Sequence, residues 1–370
     1  MDYGLQFRDL DAQQETILAN PERPPVMTLA ELFGIELPII QAPMAGVQGS
    51  ALAVGVSDAG GLGSLPCAML GADALRKELV AIRAQTAKPF NVNFFCHTPP
   101  RRDAEREAAW RAALRPYYDE LGIDPDAIAA GPARAPFDAA AAEVLAEFRP
   151  AVVSFHFGLP SEGLLARVRG WGAKVLSSAT TVEEACWLES RGVDAVIAQG
   201  LEAGGHRGMF LSEDLDAQIG TFALVPKLVR AVRVPVIAAG GIADASGVAA
   251  AMALGAAGVQ VGTAYLLCPE CTTSAPHRAA LKGEASRVTA LTNVFSGRPA
   301  RGIVNRLMRE LGPICASAPA FPLAASAVAP LRAKAESLGR GDFSPLWAGQ
   351  NTTGCREVSA GALTRALAKA

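Results

Sequence analysis

Three things are missing from this chain, and each absence narrows what it can be. An excess of one charge is missing: 34 Lys and Arg stand against 36 Asp and Glu, a formal net charge of −2. A balance so near zero, spread evenly along the chain, offers no electrostatic footprint for nucleic acid or an anionic membrane surface. Long apolar runs are missing: nothing supplies the ~18 consecutive apolar residues that a membrane span needs. The N-terminal stretch is acidic and lacks the basic and apolar regions of a signal peptide. A cysteine framework is missing too. Seven cysteines occur without paired spacing, and the CxxC of Cys268 and Cys271 has no second CxxC or histidine pair to complete a zinc site. No metal centre is expected, and reduced, mostly buried thiols in a cytoplasmic protein are the plain reading.

What is present is ample core material, since 50% of the 370 residues are hydrophobic. It comes as short apolar runs alternating with helical patterns. Runs at 38–42, 62–66, 90–95, 151–155, 174–178, 194–198, 235–239 and 258–262 read as eight strands. Helical patterns at 50–59, 73–86, 138–148, 162–170, 182–191, 224–231 and 244–254 lie between them. That order predicts the α/β class, and within it a (β/α)8 TIM barrel. β-branched runs without a polar face suit parallel strands covered on both sides. An open doubly wound sheet fits less well, because no GxGxxG follows the first strand and the glycine pairs fall after strands seven and eight.

Three stretches stand outside the barrel pattern. Residues 1–25, ending in a Pro-rich segment, are expected to form a loose N-terminal arm. Residues 96–134 read as an elaborated loop with one helix at 103–114. Residues 266–343 read as a small helical extension, with helices at 274–285, 302–311 and 331–338, inserted before the last barrel helix. The barrel would then comprise 26–265 and 344–370, with the extension contributing to a substrate cavity.

In a barrel, chemistry sits at the C-terminal ends of the strands. The centre of this sequence is the stretch 198–210, AQGLEAGGHRGMF, which follows the sixth strand. Its glycines let the backbone approach a bound group, because no Cβ blocks the way. His206 has a side chain whose ordinary pKa lies near neutrality and so suits proton movement. Gly240-Gly241 and Gly262-Thr263 follow strands seven and eight, where backbone amides would cradle a phosphate. Asn93 and Gln199 are amides at inner strand ends, either satisfied internally or facing a heterocycle with donor and acceptor edges. His156 is either a core histidine between Phe155 and Phe157 or a second member of the site. His97 and His277 are expected on the surface. Cys67 has no adjacent base and is not expected to act as a nucleophile. Glu202 and Arg207 are expected to pair with each other or with neighbouring loops and so hold the shape of the stretch.

The segments PIIQAPMAG (38–46), FNVNFFCHTPP (90–100), VVSFHFGLP (152–160), SSATTVEEA (177–185), AQGLEAGGHRGMF (198–210), AAGGIAD (238–244), QVGTAYL (260–266) and PLWAGQ (345–350) together resemble class I nitronate monooxygenases, formerly called 2-nitropropane dioxygenases. The resemblance implies a TIM barrel that binds FMN non-covalently and oxidises alkyl nitronates, such as propionate 3-nitronate, with O2 to an oxo compound and nitrite. It implies FMN contacts from Ala42, Pro43, Met44, Asn93, Gln199, Gly204, Gly205, Gly240, Gly241, Gln260, Gly262 and Thr263. His206 matches the family's catalytic histidine and His156 the second histidine of the substrate cavity. For a carboxylate-bearing nitronate the family places Tyr and Lys residues in the extension. Here that region reads Phe321-Pro322-Leu323 with Arg332 and Lys334 beyond, and Tyr117 or Tyr118 are the candidates for the role. The partners implied are a small nitronate and O2, with neither nucleic acid nor membrane, in a monomer or homodimer. FMN-dependent NAD(P)H reductases of the same barrel, of the enoyl-ACP or quinone type, are the alternative. A non-catalytic flavin-binding protein would leave His206 unexplained.

Overall fold

A computed structural model describes residues 27–124 and 134–369 of the chain. The expected N-terminal arm lies outside the described residues. The eight apolar runs become strands β1 (Ile39–Gln41), β2 (Gly63–Pro66), β3 (Phe90–Phe95), β4 (Val152–His156), β5 (Lys174–Ala179), β6 (Ala195–Gln199), β8 (Val236–Ala239) and β9 (Gly258–Val261). They pair in parallel in the order β1-β9-β8-β6-β5-β4-β3-β2. The two ends of that order meet where Gln41 N–H donates to Leu62 O at 2.9 Å and Leu62 N–H to Ile39 O at 2.9 Å, which closes the ring. The expected TIM barrel is therefore observed.

Two-residue alternation sorts each strand into an inner and an outer set. Outward-facing Val92, Val153, Val175, Val196, Ala238 and Val259 pack against the surrounding helices. Inward-facing Ile40, Val152, Leu176, Ile197 and Ile237 fill the barrel with Leu29, Leu32 and Phe33. Those last three belong to a short helix, Leu29–Phe33, started by Thr28, whose side chain accepts from Glu31 N while the Glu31 carboxylate accepts from Thr28 N. This helix plugs the N-terminal mouth. The inward set at the opposite mouth is then Asn93, Phe95, His156, Ser178, Gln199 and Gln260.

The regions outside the barrel differ from expectation in instructive ways. The helix expected at 103–114 runs from Ala104 to Leu121, with Pro116 inside it. The helix expected at 331–338 runs from Ala324 to Ser337, with Pro330 inside it. A proline costs a helix one hydrogen bond, and here tertiary packing outweighs that cost. Trp110, Leu114, Tyr117, Tyr118 and Leu121 pack against Val328, Leu331, Ala335 and Phe343 in a second core. Burial of each such side chain contributes roughly 1.5–3 kcal/mol.

The stretch expected as a helix at 302–311 is instead strand β11 (Ala300–Ile303) followed by a short helix, Arg306–Glu310. β11 pairs antiparallel with β10 (Thr289–Thr292) and with β7 (Gly205–His206). The extension is thus part strand, and it reaches into the central loop. Residues after 344 return to the barrel, where Ala360, Leu363 and Leu367 of the last helix join the outer core.

Candidate active site

The C-terminal mouth of the barrel opens into a cavity of about 1330 Å³ of empty space, its open mouth included. All fourteen residues singled out in the sequence line it: Ala42, Pro43, Met44, Asn93, His156, Gln199, Gly204, Gly205, His206, Gly240, Gly241, Gln260, Gly262 and Thr263.

The central loop is held by three devices. Arg207 is fully buried and donates to Gly200 O (2.7 Å), Gln199 O (2.7 Å) and Gln218 Oε1 (2.9 and 3.1 Å). Burial lowers its pKa to about 10, which still leaves it charged at neutral pH. Glu202 does not pair with it. The Glu202 carboxylate instead accepts from Thr221 N (2.8 and 3.0 Å) and Thr221 Oγ1 (2.8 Å), at the start of helix Thr221–Ala231. Of the two readings of this pair, attachment to neighbouring loops is the one observed. Finally, Gln199 Nε2 donates to His206 O (2.9 Å) while its Oε1 accepts from Gly208 N (2.7 Å). The Gln199 amide reaches the cavity but both its ends are engaged in shaping the loop.

Asn93 Nδ2 donates to Ser154 Oγ (2.9 Å) and Ser154 O (3.3 Å). One step deeper on the same strand face, Asn91 Oδ1 is buried without a partner among the described residues. Gln260, on the inward face of β9, makes no side-chain hydrogen bond among the described residues.

His206 projects from β7 into a ring of aromatic side chains. Phe321, Trp347, Phe95 and Phe157 lie with ring centroids 5.3, 5.5, 6.0 and 6.1 Å away. Its Nε2 is 2.8 Å from Ser296 Oγ. Burial, then the positive charges of Arg134 and Arg298 and the neighbouring histidines, hold its pKa well below the ordinary value. Both causes favour the neutral ring over the imidazolium.

His156 is tied down at both nitrogens. Nε2 is 3.1 Å from His206 O and Nδ1 is 3.0 Å from Ser178 Oγ. A carbonyl can only accept, so Nε2 carries the proton and Nδ1 accepts from the serine hydroxyl. Burial pushes its pKa down to about 4.

At the far end the wall is backbone. Gly240 and Gly241 have φ of +119° and +73°. Among the described residues, the amides of Gly240, Gly241, Gly262 and Thr263 donate to no protein acceptor. The segment after the extension clasps this end: Gly349 N donates to Thr263 Oγ1 (2.9 Å) and Asn351 Nδ2 to Gly241 O (2.9 Å).

Several expectations are corrected. His97 and His277 are buried, at 5% and 3% exposure, not on the surface. His97 packs on Phe321 at 4.8 Å, and His277 lines the cavity with its Nε2 unpartnered among the described residues. Tyr117 and Tyr118 lie in the second core away from the cavity, with Tyr118 Oη donating to Ala327 O at 2.6 Å. Cys67 is buried behind β2 and burial raises its thiol pKa far above the ordinary value. Cys268 and Cys271 are buried and their thiols are pushed up to about 12. Sequence reasoning missed Phe95, Arg134, His277, Trp347 and Asn351 as cavity residues. Strand alternation alone could have found the first.

Fold and site together define a barrel enzyme with a backbone cradle and a histidine facing it across one cavity. The family model for nitronate monooxygenase matches residues 27–369. A nitronate monooxygenase of Pseudomonas aeruginosa is 46% identical over 91% of this chain and 96% of its own length. One from Paraburkholderia phytofirmans is 45% identical over 92% and 93%. Among solved structures, a nitroalkane oxidase from Streptomyces ansochromogenes superposes with a TM-score of 0.83 at 41% identity, covering 92% of this chain and 96% of that one. FabK from Thermotoga maritima follows with a TM-score of 0.68 at 28% identity, over 93% and 95%. The chain belongs to the nitronate monooxygenase family and is an oxidoreductase. Among the described residues no helix is long and apolar enough to cross a membrane.

Proposed function

We propose that this enzyme oxidises alkyl nitronates with O2 to an oxo compound and nitrite, using non-covalently bound FMN. The observation that carries the reading is the pairing, in one cavity, of unpartnered glycine amides with a neutral histidine walled by aromatic rings and cations. The residues fit the cofactor. Amides of Gly240, Gly241, Gly262 and Thr263 would take the phosphate, since they have free N–H groups and mostly no Cβ to block approach. Asn93 Oδ1 and the Gln260 amide would meet the polar edge of the ring, with Ala42, Pro43 and Met44 beside it. The Pro43–Met44 turn is preset for this by Gln48, whose Oε1 accepts from Met44 N (3.0 Å) and Gln41 Nε2 (2.7 Å). Bound there, FMN would supply the acceptor for the substrate's electrons, with O2 as the terminal oxidant.

The protein's own groups then bind, orient and exclude water. A nitronate is already an anion at its reacting end. The charges of Arg134 and Arg298 near His206 favour such a substrate. His206 Nε2 is oriented by Ser296, and the neutral ring is competent to accept the α-proton of a neutral nitroalkane. Its depressed basicity makes that slower than use of a preformed nitronate. The free state of all seven cysteines supports a reducing, cytoplasmic setting. We expect a monomer or homodimer acting on small molecules.

The test is direct. The purified protein should be yellow and should consume O2 with propionate 3-nitronate, with no appreciable NADH oxidation under anaerobic conditions in the presence of quinone or enoyl acceptors. Robust NADH turnover without nitronate activity would replace this reading by a flavin reductase.

A further inference from the structure

We propose that Glu184 is a positioning residue for His206: its carboxylate is the buried counter-charge of Arg207, reached through a hydrogen-bond relay made by Thr180 and Gln218. The inference rests on the reading of the site above and says how that site is held in place. Glu184 belongs to the helix Val182–Ser190, which follows β5, and is 1% exposed; Arg207, next to His206, is 0% exposed. Neither lines the cavity. Two neutral side chains join them. Arg207 Nε and Nη2 donate to Gln218 Oε1 at 3.1 and 2.9 Å, Gln218 Nε2 donates to Thr180 Oγ1 at 3.0 Å, and Thr180 Oγ1 donates to Glu184 Oε2 at 2.7 Å.

The charged ends give the relay its direction. A guanidinium can only donate and a carboxylate only accept, so the Gln218 amide turns its oxygen to Arg207 and the Thr180 hydroxyl gives its proton to Glu184. Burial and the neighbouring Arg301 disfavour the Arg207 charge, and the Glu184 and Glu202 carboxylates offset part of that. Glu202 is engaged by Thr221, whereas Glu184 is tied to Arg207 by the relay. Glu184 also grips the chain beyond His206. Its Oε1 accepts from Phe210 N at 2.5 Å and Leu211 N at 3.3 Å, and its Oε2 from Thr180 N at 2.6 Å. Arg207 binds the chain before His206, at the carbonyls of Gln199 and Gly200. The stretch that carries His206 is therefore held between two opposite charges, and breaking the relay would leave each of them buried and uncompensated.

The experiment uses flavin-loaded wild type, Glu184→Gln, Glu184→Asp, Thr180→Val, the Glu184→Gln/Thr180→Val double variant and His206→Asn. Each is assayed by O2 uptake with 1-nitropropane and with propyl-1-nitronate. Glutamine is close to Glu184 in shape, but one end of it is a donor that must face either Thr180 or the amides of Phe210 and Leu211, which are donors too. In Glu184→Gln, kcat should fall about 10–100-fold on the substrate that His206→Asn affects more, with KM changed less than about threefold, as expected when a reacting group is displaced from afar. Thr180→Val should lose about as much, the double variant no more than about twofold beyond the larger single loss, and Glu184→Asp, which keeps the charge, should recover part. Melting temperatures of the same set should show the same failure to add. If Glu184→Gln does not fold, Thr180→Val and Gln218→Met, separately and together, make the same two cuts. Losses that add, or that fall on the two substrates in a different order from those of His206→Asn, would overturn the relay and leave the nitronate reading intact. Wild-type protein that oxidises neither substrate would overturn both.

Discussion

The two ends of the cavity are built by opposite means. Beside β8 and β9 the wall is main chain: Gly240, Gly241, Gly262 and Thr263 present amides, and among the described residues no cationic side chain lines the cavity there. Beside β3, β4 and the extension the wall is side chain: His156, His206, Phe95 and Arg134, with Phe157 and Phe321 behind them. Main-chain donors suit a group of fixed chemistry, because they do not depend on side-chain rotamers. Side chains suit the end where charge, shape and basicity must be adjusted. Under the proposed function the backbone end would serve the cofactor and the side-chain end the substrate.

The broadest expected effect, on both stability and flavin binding, falls on the backbone end. A Cβ on Gly240 would stand 2.8 Å from Thr221 Oγ1 and 3.1 Å from Ala203 N, at a φ of +119° that an L side chain rarely adopts. Gly240→Ala should cost about 1–3 kcal/mol of stability. It should also weaken flavin binding by about tenfold or more, read as bound flavin after dialysis. A variant as yellow and as stable as wild type would dissolve the distinction between the two ends. Next comes the side-chain end. His206→Asn should keep its flavin and lose about 10²–10⁴ in turnover of a neutral nitroalkane, with a much smaller loss on the nitronate. Equal losses on both would mean that His206 only orients the substrate.

Acid should also act on the side-chain end. His97, His156 and His277 have folded-state pKa values depressed by burial to about 4, from an ordinary value of 6.5. Between those values the unfolded chain binds protons that the folded chain does not. Stability is therefore full above pH 6.5 and is lost as the pH falls towards 4. Thermal melts from pH 7.5 to 4.5 should show Tm falling below 6.5. A flat profile would mean that these rings are charged, and hence hydrated, in the fold.

The same division governs what was legible in the sequence. The backbone end was readable because it is local: a strand, two glycines, and the next strand followed by Gly-Thr. The eight barrel strands were readable for the same reason, each being one short apolar run. The side-chain end was only half readable. His206 and His156 announced themselves by residue type, but Arg134, His277 and Trp347 reach the cavity from distant segments. Their approach depends on β11 pairing with β7 and on two helices that run on around an internal proline. Pro116 and Pro330 argued against those helices locally, and the shared core around Trp110 and Leu331 decided otherwise. His97 and His277 read as surface residues because their neighbours in sequence carry little context, whereas contacts from distant segments, such as Phe321 on His97, help to bury them.

The smallest expected effect tests how the two histidines divide their work. The His206 carbonyl accepts from two donors, His156 Nε2 at 3.1 Å and Gln199 Nε2 at 2.9 Å. Ser178 enforces this arrangement indirectly, by donating to His156 Nδ1 and so leaving the proton on Nε2. Ser178→Ala removes that donor and leaves a buried nitrogen lone pair facing a methyl group, a cost of about 1 kcal/mol. The loop should hold, because Gln199 still grips the same carbonyl and Arg207 still anchors the backbone behind it. The variant should keep its flavin, melt slightly lower, and lose about fivefold or less in turnover. The size of that loss separates two roles for His156. A small one makes it a positioning residue for the His206 main chain. A loss approaching that of His206→Asn would make His156 a partner in proton transfer, because only then would its tautomer govern the rate.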